Sequence, residues 1–546
     1  MTMFPQAIGP IPEETARIAR AANPKGTLAM WLRDELGAIY TDEEFADLYP
    51  ERGQPALSPW RLALVQYVED LTDRQAAEAV RERIDWKYLL GLELSDSGFD
   101  ASVLSEFRQR LLAQGAEERL LDKVLQVSRQ RGWLKAGGKM RTDATHVLAA
   151  VRSLHHLETV GETLRAVLED LAEVAPDWLL AWMPEAWFKR YEGRMDSRRL
   201  PKKEQERKQL AEQIGHDGAL LLGVLAQADT PTAAQELASV QVLRQVWSQY
   251  YEEREGQLHW RDGPAQGAQE TIVSPYDLDA RRAQKRDTVW CGYKVHLTET
   301  CEEELPELIV QVKTTLAPRP DVKETLDLQR ELERRHLLPE EHLLDGGYLE
   351  SEVLVTHPPG LRIVGPVPPD TSWQAHEGKG YAVAHFQIDW QARTARCPQG
   401  QFSQSWRERP EREGQIQVSF ATAVCQACLV CTECTKGPHR ELQLRPQAQT
   451  EALQQQRAEQ QTREFRQSYA LRSGVEATIS QAVRCLPLRQ SRYCGMPKVQ
   501  LQHVVTATAL NCLRLYAYVS GVPRGITWVS HLTRLKRRRE QAQRAA

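Results

Sequence analysis

His342-Leu343-Leu344-Asp345-Gly346-Gly347-Tyr348 is the stretch from which the fold is read. The apolar run has strand length, the glycine pair allows a tight turn, and the aspartate ends the run with its carboxylate accessible. Before it, Asp327 to Leu338 has helical spacing; after it, Leu361 to Val364 reads as a further short strand. Val289-Trp290-Cys291-Gly292-Tyr293-Lys294-Val295-His296-Leu297 alternates as a strand, with Leu308 to Val312 as its hairpin partner. Gly137-Gly138 breaks a helix, and Met140 to Val147 then reads as a strand with Asp143 inside it. Strands flanked by helices predict a mixed α/β domain. Such open sheets carry their sites at the carboxyl ends of strands.

At 546 residues the chain has room for about three to five domains of roughly 100–200 residues. It is 41% hydrophobic and 26% charged, enough apolar material for large cores without disulfide staples. No run of 18 or more apolar residues occurs, and Met1 to Met30 lacks the pattern of a signal peptide, so neither a membrane span nor secretion is expected. Ten cysteines, not spread as a disulfide framework, fit a reducing, cytoplasmic compartment. The net charge of −4 conceals a polarity: residues 451–546 hold 16 Lys+Arg against 5 Asp+Glu. That excess begins at Arg484, Arg489, Arg492 and Lys498, ahead of the cluster Arg534, Lys536, Arg537, Arg538 and Arg539, and it suits a phosphate-bearing partner such as nucleic acid.

The first part of the chain reads as helices. Ser58-Pro59 starts one that carries Trp60, Leu62, Leu64 and Val65, and Thr72-Asp73 opens another with Ala76, Ala77, Val80 and Ile84. After the turn Ser95-Asp96-Ser97-Gly98, Asp100 or Ser102 can cap a third through Leu112. This pattern suits a helix-turn-helix DNA reader and a plain packing domain equally. A long, largely charged helical stretch runs from Leu154 to Leu225. Residues 366–446 are rich in Pro, Gln and Cys, with strand-like alternation at Phe386, Ile388 and Trp390 and at Ile416, Val418 and Phe420. From Thr450 to about Leu486 the pattern is helical again.

An acid inside a strand beside apolar residues needs a partner for its charge, as Asp143 does. A third acid, Glu476, shares one helical face with Tyr469 and Arg472 at i, i+3 and i+7. Two strand-borne aspartates and a helix glutamate suit two Mg²⁺ ions (or Mn²⁺) in phosphoryl transfer, with waters and phosphate oxygens completing the coordination. Arg472 could then meet a flanking phosphate.

With these residues in place the chain resembles the DDE-type transposases of bacterial insertion sequences, most closely the IS eleven-eighty-two group. Arg83-Ile84-Asp85-Trp86-Lys87-Tyr88-Leu89-Leu90-Gly91-Leu92 and Phe99-Asp100-Ala101-Ser102-Val103-Leu104-Ser105-Glu106-Phe107-Arg108 resemble the helical N-terminal domain of that family. Asp143 with Thr145 resembles the first catalytic aspartate and its threonine. Ser274-Pro275, Asp277, Asp279, Ala280-Arg281 and Gly292-Tyr293-Lys294-Val295-His296 resemble the second-strand signature. Asp345-Gly346-Gly347-Tyr348 resembles the second aspartate, and Tyr469, Arg472 and Glu476 match the Tyr-x2-Arg-x3-Glu pattern of the third acid. Where the family has a lysine seven residues after the glutamate, this chain has Val483, with Arg484 adjacent.

The resemblance implies an RNase H-like catalytic domain with catalytic Asp143, Asp345 and Glu476, all Mg²⁺ ligands. It implies DNA contacts at Tyr469 and Arg472, to which the basic excess adds Arg484 and Lys498. The implied organisation is a helical, DNA-binding domain at 1–132; a first catalytic part at 138–365 with a helical insertion at about 152–260; the Cys-rich insertion at 366–446; a last catalytic part at 447–520; and a basic tail at 521–546. The implied reaction is Mg²⁺-dependent cleavage at insertion-sequence ends and transfer of the 3′-hydroxyl into target DNA, without a covalent enzyme–DNA intermediate. The implied partners are double-stranded terminal inverted repeats and target DNA, bound by at least a dimer in the bacterial cytoplasm, in association with the nucleoid. Two other readings stay open: an inactive, transposase-derived DNA-binding protein, which Val483 favours, and a structure-selective nuclease of the same fold that cuts without joining.

Cys425, Cys428, Cys431 and Cys434 recur every third residue, and Cys397-Pro398-Gln399-Gly400 precedes them. Pairs two residues apart aim thiolates at one tetrahedral ion, so structural Zn²⁺ is expected. The resemblance selects Cys397, Cys425, Cys428 and Cys434, with Cys431 as an extra or alternate ligand. Cys291, Cys301, Cys485, Cys494 and Cys512 read as buried packing residues. Trp373, Trp390 and Trp406 read as packing groups, with base stacking as the other role. His146 and His155-His156, with Glu158 nearby, lack ligand spacing and read as a helix face.

Overall fold

The computed structural model describes residues 9–545 except 38–39, 51–59, 153, 197–199, 262, 266, 378–379, 413 and 523–529. A mixed sheet organises the second quarter of the chain onward. Its strands are β1 (Lys139–Leu148), β2 (Arg281–Lys285), β3 (Thr288–Thr300), β4 (Ile309–Leu316), β5 (Glu341–Leu344) and β6 (Arg362–Val364). Across the sheet the order is β4-β3-β1-β5-β6, with β2 paired to the first residues of β3. The β1/β3 and β3/β4 pairs are antiparallel, while β1/β5 and β5/β6 are parallel. Helices α1 (Val322–Arg334) and α2 (Ser351–Thr356) make the two crossovers. After the Cys-rich segment, α3 (Arg463–Ala470), α4 (Gly474–Cys485) and α5 (Met496–Val519) complete the domain.

The sheet depends on close approaches. Gly292 has φ +150°, and a Cβ there would lie 2.1 Å from the Val147 oxygen, so no other residue fits where β3 crosses β1. The outer edge of β4 is covered by α5. Asn511 exchanges two 2.8 Å bonds with the Ile309 backbone, and Gln500 bonds Thr314 N and Val312 O. These amides occupy backbone groups that would otherwise recruit another strand.

The N-terminal part is helical, from Glu13 to Gln130. The helix Asp73–Glu82 starts at a Thr72 cap that exchanges hydrogen bonds with Gln75, as the sequence predicts. It ends sooner than the periodicity suggests: Arg83 is extended (φ −97°, ψ 121°), and Ile84 opens a new helix. Ser58-Pro59, read as the start of the preceding helix, lies outside the described residues; that helix spans Trp60–Val68. These helices share one apolar core with the sheet and α5, through Leu32, Phe45, Trp86, Phe107 and Leu120 on one side and Val295, Val504 and Leu515 on the other. The insertion between β1 and β2 has a separate core, built around Leu164, Trp187, Leu221, Leu243 and Trp247. The stretch read as one helical run divides into His156–Val174, Pro176–Trp182, Glu185–Tyr191 and Glu204–Leu225. Residues 366–446 carry short strands around Phe386, Ile416, Val418, Phe420 and Leu442. The basic end, expected as a tail, contains a helix, α6 (His531–Ala545). Among the described residues, no helix is long and apolar enough to cross a membrane.

Three buried histidines couple this core to pH. His296, His342 and His503 are essentially inaccessible, and burial lowers each to about 3. They stay neutral in the folded protein but take up protons on unfolding below about pH 6.5. Stability is therefore fully present above that pH and is lost as pH falls toward 3. Each histidine contributes a slope of about 1.4 kcal/mol per pH unit. Denaturant unfolding between pH 4 and 8 should show a steep loss of stability below pH 6.5; a flat profile there would contradict the neutral histidines.

Candidate active site

β5 begins in register with β1, pairing Lys139 with Glu341 through to Thr142 with Leu344. One step further, the same register sets Asp143 beside Asp345, the first residue past β5. Two aspartates 202 positions apart thus meet on neighbouring parallel strands.

The third acid arrives on α4. The face shared by Tyr469, Arg472 and Glu476 is not one unbroken helix: α3 ends at Ala470, Leu471–Ser473 form a 3-10 turn, and α4 starts at Gly474. Arg472 lies in that turn and Glu476 in the first turn of α4, where a carboxylate suits the helix dipole. A buried ion cluster fixes this approach. Arg141 Nε donates to Glu299 at 2.7 Å, and its Nη1 donates to the Leu471 carbonyl at 2.8 Å. Glu299, fully buried, also accepts from Thr478 on α4 at 2.6 Å and from Arg514 on α5 at 2.8 Å. Gly474 leaves room for this packing, because a Cβ there would lie 2.0 Å from the Arg141 guanidinium.

The acids converge on Arg472. Its guanidinium lies 2.6 Å from Asp143, 2.9 Å from Glu476 and 3.5 Å from Asp345. Asp143 and Arg472 are mostly enclosed (14% and 12% exposed), whereas Asp345 and Glu476 are open (45% and 63%). Burial raises the pKa of Asp143; Arg472 and the Ala144 N–H oppose the rise, and repulsion from Asp345 adds to it. For Arg472, burial disfavours the charge, but Asp143 and Asp345 outweigh it and raise the pKa. With all four groups ionised the cluster keeps a surplus of negative charge on its solvent side. That surplus and an all-oxygen donor set suit hard divalent cations. Among the described residues, no group of three or more His, Cys, Asp or Glu is arranged to hold a metal ion. At the acids, the guanidinium stands where their charges meet.

The other sequence candidates divide. Tyr469 stacks on Phe465 at 5.6 Å, and its pKa is raised, by burial first and by Asp345 among its neighbours, with Arg472 opposing. Arg472 belongs to the acid cluster, which makes carboxylates its partners here. Arg484 is exposed and donates to Ser480 of its own helix, and Lys498 is exposed on the first turn of α5; neither joins the cluster. Val483 packs against the main core. Tyr348 and His296 are buried and joined at 2.7 Å, so they brace the sheet under the aspartates. Lys294 pairs with Asp321 at 2.6 Å. Asp277 and Asp279 accept from Gly495 N and Met496 N at the start of α5.

Sequence reading gives no role to Arg141 and Glu299, which position the third acid, and places Arg489, which donates to Thr145 at 2.8 Å, only in the basic excess. A buried opposite charge on each of two adjacent strands was the available signal for the first pair.

Cys397, Cys425, Cys428, Cys431 and Cys434 line one small apolar pocket as free thiols. Burial pushes the Cys434 thiol up to about 11; Arg440 opposes this, and Cys425, Cys397 and Cys428 add to it. Backbone N–H groups of Gln401 and Arg440 point at the Cys397 and Cys425 sulfurs, each at 3.4 Å. Cys291, Cys301 and Cys512 are buried as expected, but Cys485 and Cys494 are exposed, one ending α4 and the other just before α5. Trp390 and Trp406 pack edge to face at 5.6 Å, and Lys436 lies over Trp373. His155 caps the helix from His156, whereas His146 lies on β1 and not on a helix face, and packs on Trp290.

The Transposase DDE domain family matches residues 396–516, from the first clustered cysteine through Glu476 to α5. The Transposase domain (DUF772) family matches residues 21–110, within the N-terminal helices. Both matches support a DDE-type insertion-sequence transposase. No curated protein and no solved structure matches it. The DDE domain carries an RNase H-like α/β fold, which agrees with the mixed sheet of this chain. Asp143 and Asp345 fall between the two matched segments, and strand register and Arg472 connect them to Glu476.

Proposed function

We propose that this transposase, of the IS eleven-eighty-two group, cleaves DNA at the ends of its insertion sequence and joins the freed 3′-hydroxyl to target DNA. Asp143, Asp345 and Glu476 are its catalytic acids. The observation that carries this reading is the convergence of the three acids on one guanidinium from two strands and a helix. Asp143, Asp345 and Glu476 would hold two Mg²⁺ ions (or Mn²⁺), which would activate the attacking oxygen and stabilise the leaving one. The chain contributes the positions. Register sets the two aspartates side by side, the Arg141–Glu299 pair fixes the turn that carries Arg472, and Arg472 would exchange the carboxylates for a substrate phosphate once bound cations neutralise them. Tyr469 adjoins the same opening, while Arg484 and Lys498 supply outlying phosphate contacts. The N-terminal helices bind DNA, and the protein works on two ends as a dimer or larger assembly in the bacterial cytoplasm.

Precut transposon ends, incubated with target duplex in Mg²⁺, test the reading. Joined product is expected; cleavage of uncut ends without joining would make the chain a nuclease, and binding alone an inactive relative.

For the Cys-rich segment, the four sulfurs of Cys397, Cys425, Cys428 and Cys434 suit structural Zn²⁺, whose binding would relieve their mutual repulsion. Metal analysis of purified protein should find about one zinc per chain, falling in Cys434→Ser. A content near zero in the unaltered protein would contradict the site.

A further inference from the structure

The sheet has a gap beside the acids. β5 covers one edge of β1 only from Lys139 to Thr142. The chain following α4 returns to that edge at Leu148, whose N–H donates to Arg489 O and whose carbonyl accepts from Ser491 N. Between these two partners, strand alternation turns the backbone groups of Ala144 and His146 into the opening. Asp143 and Asp345 stand at one end of the gap, and Arg489 at the other.

Arg489 is held in a particular way. Its Nε donates to Thr145 Oγ1 at 2.8 Å, and Thr145 shares a strand face with Asp143, about 6–7 Å along β1. Among the described residues no carboxylate pairs with Arg489, and its terminal nitrogens have no hydrogen-bond partner. An anchored guanidinium with its fork unused is suited to bidentate phosphate binding. Arg484 is also held through Nε, but by Ser480 of its own exposed helix face and not by a residue of β1.

We propose that Arg489 is a phosphate-binding residue of the active site, holding the DNA phosphate next to the one that reacts. The inference rests on the transposase reading and adds to it a residue and a position on the substrate. Nearest the acids the DNA strand meets carboxylates; one phosphate further along it meets a fixed cation.

The test is binding of full-length protein to a duplex bearing the terminal repeat of its own element, measured against salt without divalent ions. Arg489→Gln should weaken binding about tenfold or more and reduce the slope of log K against log salt by about 0.9. Arg484→Gln, at an outlying phosphate contact, should reduce the slope by a similar amount but with a smaller loss of affinity. A neutral methylphosphonate beside the scissile phosphate should make the unaltered protein and Arg489→Gln bind alike. Thr145→Val, which frees Arg489 from its anchor, should give a smaller loss at the same phosphate and guards against misfolding of the first variant. Arg489→Gln binding as tightly as the unaltered protein, or losing as much on methylphosphonate DNA as on normal DNA, would overturn the proposal. Absence of any binding by the unaltered protein would instead overturn the transposase reading.

Discussion

Asp345→Asn should abolish Mg²⁺-dependent cleavage of transposon-end DNA, with a loss on the order of 10⁴-fold. The change is isosteric and Asp345 is 45% exposed, so the fold should survive. What it removes is charge at the point where three acids share one guanidinium. Asp143→Asn should cost about as much, and the double variant little more than either alone, because residues that act as a unit are not additive. The two positions differ in their side effects. Asp143 is enclosed and takes the 2.6 Å bond from Arg472, so its amide also disturbs a structural partner. Asp345 meets Arg472 at 3.5 Å, and its loss reports mainly on chemistry. Cleavage assays on both singles and the double decide the matter: retained cleavage in Asp345→Asn contradicts the catalytic assignment.

Glu299→Gln should destabilise the protein by about 3–5 kcal/mol, the scale expected when one partner of a buried ion cluster is removed. Glu299 is fully buried between Arg141 and Arg514 and also accepts from Thr478. Neutralising it leaves Arg514 without its carboxylate and Arg141 with only the more exposed Glu307. The expected functional consequence is specific: Arg141 holds the carbonyl of Leu471, next to Arg472, so the third acid loses its alignment along with the fold. Denaturant titration would measure the loss. A variant as stable as the unaltered protein would mean that the cluster does not brace α4 against the sheet.

These two sites show what the sequence makes legible. The strands leading to Asp143 and Asp345 stand out because apolar alternation and glycine breaks are local signals, and the structure adds their register. The spacing from Tyr469 to Glu476 predicts one helical face, and the 3-10 turn at Leu471–Ser473 is set by the tertiary bond from Arg141, which no local pattern contains. The helix expected over Asp327–Leu338 begins earlier, at Val322, because residues before Asp327 pack under the sheet. Arg489 looked like one more member of a basic block, and only the return of the chain to the edge of β1 gives it a place beside Asp143. Residue type predicts core positions for Cys485 and Cys494, yet both are exposed, one ending α4 and the other in the loop before α5. Long-range pairing, in each case, decided what spacing could not.

A crystal structure with Mn²⁺ and a precut transposon end measures the central geometry directly. Anomalous scattering should place the metal between Asp143, Asp345 and Glu476, with Arg472 turned from the carboxylates toward the DNA. Metal found elsewhere, or a DNA end that stays clear of these three side chains, would contradict the account.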